Sequence, residues 1–243
     1  MAWIRFLLVF LCVTLNAETP LGLVFSTIQP YLIPSQHPVK KTLDALFAQG
    51  RPTQDAESLE EAGFEILYRQ PRSFIWVVRH PSLPGYLVKL VPDKDLRNKR
   101  GHEEWWWFAQ RCKGMAKIRK VLEKKHCHLF KAPHKWIYPL PKRDHSLYPQ
   151  RHVILMVEDM QLAAHDTNIS AWKTLITPEH LDQLYTIIKK AGGSSYRAVN
   201  VPLSIDGKFA FIDSEYPNQK SNFQSIKKYL SPEMLSYWEQ ITH

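Results

Sequence analysis

The sequence predicts an α+β protein with a β-rich first part carrying one long helix, followed by a helical part beyond about residue 160. Three observations carry that prediction. From Phe64 to Pro92 the apolar residues fall in short runs rich in β-branched and aromatic side chains, the composition of strands. From Asn98 to His126 the apolar spacing widens to that of a helix. Beyond Met160, Thr177-Pro178-Glu179 and Ser231-Pro232-Glu233 each place a capping hydroxyl ahead of a proline, a helix start.

The elements follow in order. "MAWIRFLLVFLCVTLNAETP" has one early charge, Arg5, an apolar run from Phe6 to Leu15, and small residues at Asn16-Ala17, the pattern of an export signal cleaved near Ala17. The run is too short for a membrane span, which needs about 20 residues. After a polar stretch, Val39, Leu43, Leu46 and Phe47 mark a helix within His37–Gly50, and a second short helix is expected over Asp55–Ala62. "FEILYRQ", "SFIWVVRHP" and "GYLVKLVP" form an antiparallel meander broken at Pro71-Arg72 and Pro81–Gly85. The long helix has Phe108, Cys112, Met115, Ile118 and Leu122 on one stripe. "HKWIYPL" and "RHVILMVEDM" bring the strands to five, separated by the loop Pro141–Arg151. A short connector leads to a helix from Pro178 to Ala191. The hairpin "NVPLSIDGKFAFIDSEYP" turns on Asp206-Gly207, a pair suited to a two-residue turn with both φ positive. Two helices, "QKSNFQSIKKYL" and "SPEMLSYWEQI", close the chain. The organisation is therefore a signal at 1–17, an extension with the β-rich part at 18–160, and a helical part at 161–243.

The 243 residues, 44% hydrophobic and 12% aromatic, suffice for a core and exclude a disordered chain. The net charge is +9, and loss of Arg5 with the signal leaves +8, a balance that favours phosphate or other anionic ligands. The lysines and arginines are dispersed, so no nucleic-acid partner is expected. Removal of the signal also takes Cys12 and leaves Cys112 and Cys127, which an oxidising compartment could join.

This order resembles the protein-kinase-like fold: a five-stranded lobe with one helix, a hinge, then a helical lobe, here much reduced. In "GYLVKLV", Lys89 stands where the family keeps the third-strand lysine that holds phosphates and pairs with a glutamate of the next helix. Glu104, on the stripe of Phe108 and Cys112, is the expected partner, preferred over Glu103. The resemblance implies that backbone groups from Val157 to Met160 form the hinge beside an adenine. It implies that Asn200 and Asp213 hold Mg²⁺, and that Arg197 contacts phosphate. ATP and Mg²⁺ are the implied cofactors. The family's catalytic aspartate falls at Ser195, Asp213 is followed by Ser-Glu, and the first hairpin has no glycine-rich cover, leaving Arg69 and Arg72 to meet phosphates. The catalytic residue is thus unassigned, and a pseudokinase or atypical phosphotransferase is implied. A basic secreted binding or scaffold protein without a nucleotide site is the alternative.

Two other stretches bear on function. "KKHCHLFKAPH" gathers His126, Cys127, His128 and His134, metal-binding types at a spacing that matches no standard zinc module. "EEWWWFAQ" turns three tryptophans to different sides of a helix, so at least one is expected to be partly exposed and open to a protein partner.

Overall fold

The computed structural model describes residues 20–69, 73–97, 100–144 and 148–243; the expected signal and Arg72 lie outside them. The chain is a mixed α+β fold on a five-stranded antiparallel sheet, with seven α-helices among the described residues.

Helix α1 (Pro20–Ile28) starts directly after the expected cleavage point, where the sequence suggested only a polar stretch. Val24 and Ile28 pack it into a shared core with the long helix. Helices α2 (Lys40–Leu46) and α3 (Ala56–Glu61) follow as expected, and the Asp55 carboxylate caps α3 by accepting from Ser58 N–H at 3.0 Å. The meander is β1 (Glu65–Tyr68), β2 (Trp76–Arg79) and β3 (Tyr86–Leu90). Next come α4 (Glu104–Lys125), a short β4 (Phe130–Lys131), β5 (Lys135–Pro139) and β6 (Val153–Glu158). The sheet order is β1-β2-β3-β6-β5.

Strand alternation assigns the sheet's two faces. Val88, Leu90, Tyr138, Ile154 and Met156 point to α2 and α3, against Leu43, Phe47 and Leu59. Ile137, Val153, Leu155 and Val157 point to α4, against Phe108 and Cys112. Strand β6 is covered on both sides, which is why "VILMV" reads as an unbroken apolar run. Each such side chain contributes about 1.5–3 kcal/mol relative to exposure.

Helix α4 joins this sheet to the rest of the molecule. Its Met115 and Ile118 enter a separate helical core with Leu181, Leu184, Ile187 and Ile188 of α6 (Pro178–Ala191) and Trp238 of α7 (Pro232–Thr242). It ends at His126 in the left-handed conformation, where the Cys127 N–H returns to Leu122 O at 3.0 Å. A reciprocal Thr177–His180 capping box starts α6.

Three further elements differ from expectation. The short connector contains helix α5 (His165–Thr174), ordered by Trp172, which is fully buried and donates its indole N–H to Val201 O at 3.0 Å. The helix expected at Gln219–Leu230 shrinks to a 3₁₀ turn at Lys227–Tyr229. Polar side chains bond backbone there instead: Ser221 Oγ donates to Ile188 O at 2.9 Å, and Asn222 Oδ1 accepts from Gln224 N–H at 2.9 Å. The third is β4, which pairs in parallel with β7 (Phe209–Ala210), a contact too short to leave a pattern.

Cys112 and Cys127 are both free and buried. Helix α4 itself separates them by about 1.5 Å per residue, well beyond the reach of a disulfide. Burial pushes the Cys112 thiol up to about 12, leaving it inert. Among the described residues no helix is long and apolar enough to cross a membrane.

Candidate functional site

The hairpin after α6 brings its two predicted residues together. Asn200 O accepts from Ile212 N–H at 2.9 Å, Pro202 O from Ala210 N–H at 2.8 Å, and Lys208 O from Ser204 N–H at 2.9 Å. Asn200 and Asp213 therefore share the open end. The turn itself is a three-residue loop, Ile205 to Gly207, in which only Gly207 takes a positive φ, +81°. Asp206 instead binds Ser204 Oγ at 2.6 Å and Lys208 N–H at 3.2 Å through its side chain, so the expected two-residue turn is not formed.

Two lysines reach this end from the sheet. Val88 and Leu90 face α2 and α3, so Lys89 between them faces α4, and by the same alternation Lys135 lies on the side of Ile137. Lys89 is opposite Leu155, and Lys135 opposite Val157, on neighbouring flanks of β6. Both ammonium groups donate to one carbonyl, Ile212 O, at 3.2 and 3.1 Å. Arg111 completes the cluster from α4, with Nε 3.2 Å from Asp213 Oδ1 and Nη2 2.9 Å from Glu215 Oε1.

Helix α4 grips the segment after the hairpin along three turns. Trp107 meets Tyr216 edge-on at 5.8 Å, Ser214 Oγ donates to Arg111 O at 2.9 Å, and Lys117 Nζ donates to Pro217 O at 3.0 Å. Gly114 makes the approach possible: a Cβ there would lie 2.5 Å from Ser214 O. Gly114→Ala is expected to cost about 1–3 kcal/mol, the range for overpacking, and to lower the urea midpoint accordingly. An unchanged midpoint would show that the segment is not held against α4.

The cluster is rich in donors and poor in acceptors. Burial pushes Lys89 from its ordinary 10.5 down to about 8, partly offset by Asp213. Burial and the neighbouring Lys89 push Lys135 down to about 7. Arg111 and the two lysines overcome the burial of Asp213 and hold its carboxyl at about 2. Arg111 Nη1 is buried with no hydrogen-bond partner. Asp213 keeps 28% of its side-chain surface exposed, so the cluster is reachable from solvent.

No protein-family model, curated protein or solved structure matches this chain.

The remaining predicted residues are distributed as follows. Glu104 faces inward as expected but does not pair with Lys89. Its carboxylate accepts from His152 N–H and lies 3.6 Å from Arg151 Nη1. Arg111, two helical turns further on, is the α4 residue that reaches the hairpin's open end, where it pairs with Asp213. Val157 lies in β6 between β3 and β5 with its side chain in the α4 core, and Met160 is half-buried in the connector. Asn200 donates its amide to Ser195 O at 2.9 Å and braces the preceding loop, and Arg197 is exposed. Arg69 lies over the Trp76 ring at 4.5 Å, away from this cluster. The His126–His134 stretch does not converge: His128 pairs with Glu179 at 3.3 Å, His134 with Glu158 at 2.9 Å, and Cys127 is buried. Trp107 is buried, while Trp105 and Trp106 are partly exposed.

The donor set does not fit Mg²⁺. A hard dication needs several oxygen ligands and few competing charges. Here both carboxylates, Asp213 and Glu215, are already bonded to Arg111, and two lysines crowd the adjacent carbonyl. The arrangement suits an anion. Lys135 and Arg111 were missed in the sequence because each reaches the site from a distant element. The available signal was a basic residue set on an otherwise core-facing stretch.

Proposed function

We propose that this chain is an exported, kinase-like protein that binds a phosphate-bearing ligand, such as a nucleotide, where Lys89, Lys135 and Arg111 meet Asp213. The carrying observation is the surplus of cationic donors: two ammonium groups share one carbonyl, and Arg111 Nη1 has no acceptor. The chain order of five strands, one helix against the sheet, a connector and then helices supports the kinase-like part of the reading. Binding is the function; Ser195 offers no carboxylate base, and its carbonyl is occupied by Asn200. The alternative, a scaffold without a ligand, is favoured by the closure of Arg111 on Asp213 and Glu215, which makes the cluster a structural latch.

A thermal-shift titration with ATP and with inorganic triphosphate, in chelator, separates the two. At a hundredfold excess over Kd the ligand should add about 2.7 kcal/mol of stability. Lys89→Met and Lys135→Met should abolish the shift and leave the fold intact. No shift in the native chain rejects phosphate binding, and a shift that both variants retain places it elsewhere.

The pH dependence has a definite sign. Lys135 and Lys89 lose their protons near 7 and 8 in the folded chain but at 10.5 when unfolded, so the unfolded state binds more protons across that window. Stability without ligand should therefore rise with pH from about 7, and less so in Lys135→Met. Ligand affinity should fall over the same interval, because the ammonium charges that attract phosphate disappear. Affinity independent of pH would exclude the lysines as the binding groups.

A further inference from the structure

We propose that Glu103, Glu104 and His152 form a site for one divalent transition-metal ion of the zinc class, where the N-terminus of α4 meets the start of β6. One ligand atom from each residue lies within 4.8 Å of the others. His152 Nδ1 is 3.3 Å from Glu103 Oε2 and 3.6 Å from Glu104 Oε1, yet it makes no hydrogen bond to either. Zinc binds imidazole nitrogen and carboxylate oxygen at about 2.0–2.2 Å, so two ligands at a tetrahedral angle stand about 3.3–3.6 Å apart. The two nitrogen–oxygen separations are those of a tetrahedral edge.

The second, independent observation is Glu104. Its side chain is 1% exposed, and Oε2 is buried without a hydrogen-bond partner; Arg151 Nη1, at 3.6 Å, is beyond hydrogen-bonding range. Oε2 faces Arg151, whereas Glu104 Oε1 and Glu103 Oε2 face His152 Nδ1, which is likewise buried without a hydrogen-bond partner. A dication between them would be held by that nitrogen and both carboxylates, whose two charges balance it. The other contacts of these carboxylates orient them: Glu103 Oε2 accepts from Trp105 Nε1 at 3.0 Å, and Glu104 Oε1 accepts from the backbone N–H of His152. Glu103 and His152 keep 46% and 34% of their side-chain surface exposed, which leaves a path for the ion and a fourth position open to water. One imidazole among three ligands favours zinc, cobalt and similar ions over calcium and magnesium.

Titration of the full chain with Co²⁺ tests the site, since four-coordinate Co²⁺ has strong visible bands that Zn²⁺ bleaches on displacing it. One equivalent is expected, with the bands lost in Glu103→Gln and in His152→Gln. A His126→Gln/His128→Gln double variant controls for the separate histidine stretch and should keep them. Glu103 is half-exposed, so its variant should melt at the native temperature and report on the metal alone. Absence of bands in the native chain overturns the proposal. So does their survival in both site variants, or their loss in the His126/His128 control.

Discussion

Asp93→Ala is expected to destabilise the protein by about 3–5 kcal/mol, the cost of leaving a buried charge without its partner. Asp93 is fully buried and takes two bonds from Arg51, Nε at 2.7 Å and Nη2 at 2.9 Å. It also accepts from Arg151 N–H at 2.7 Å and Thr53 Oγ1 at 3.3 Å. One carboxylate thus ties the segment between α2 and α3, the end of β3 and the start of β6. Its removal leaves the Arg51 guanidinium, only 4% exposed, with the Pro141 and Arg151 carbonyls but no counter-charge. The control is Lys40→Ala, which breaks the exposed Lys40–Asp44 pair one turn apart on α2 and should cost less than about 0.5 kcal/mol. Urea unfolding followed by tryptophan fluorescence reads both. Equal midpoints for the two variants would refute the assignment of Asp93 as the structural centre of this half of the chain.

Arg111→Met should lower stability by about 3 kcal/mol, toward the low end for a broken buried pair, because Asp213 stays partly exposed and keeps both lysines nearby. Its acid response is the sharper signature. Arg111 is the largest favourable influence on the Asp213 carboxyl, which it holds near 2 against an ordinary 3.8. A carboxyl depressed in the folded state adds stability above its unfolded value, and that stability is lost as pH falls toward the folded value. The native chain should lose it between about pH 4 and pH 2, and the variant should lose less over that interval. An Arg111→Met stability curve parallel to the native one across that interval would mean that Asp213 owes its ionisation to another group.

Much of the fold is legible in the sequence, because local rules generate it. The β-branched runs, the helical stripe from Phe108 to Leu122 and the Thr177 and Ser231 caps all mark elements that form. What fails is local too weakly or non-local altogether. Helix α5 has no side-chain cap and depends on burying Trp172, and the expected helix at Gln219–Leu230 loses to side chains that bond the backbone across the fold.

The site divides in the same way. Period-2 alternation predicts which face Lys89 occupies, and the hairpin sets Asn200 beside Asp213 within one short loop. The apolar stripe also places Glu104 inward, where it is 2% exposed. Its partner is set by docking instead. Glu104 and Arg111 are seven residues apart on α4, a rise of about 10 Å, and only the docking of that helix on the sheet decides which of them meets Asp213. Backbone periodicity is settled by neighbours in sequence and can be read there. Charge pairing follows distance in space, so the tertiary structure alone put three cations around one aspartate and left Glu103, Glu104 and His152 together two turns away, at the N-terminus of the helix.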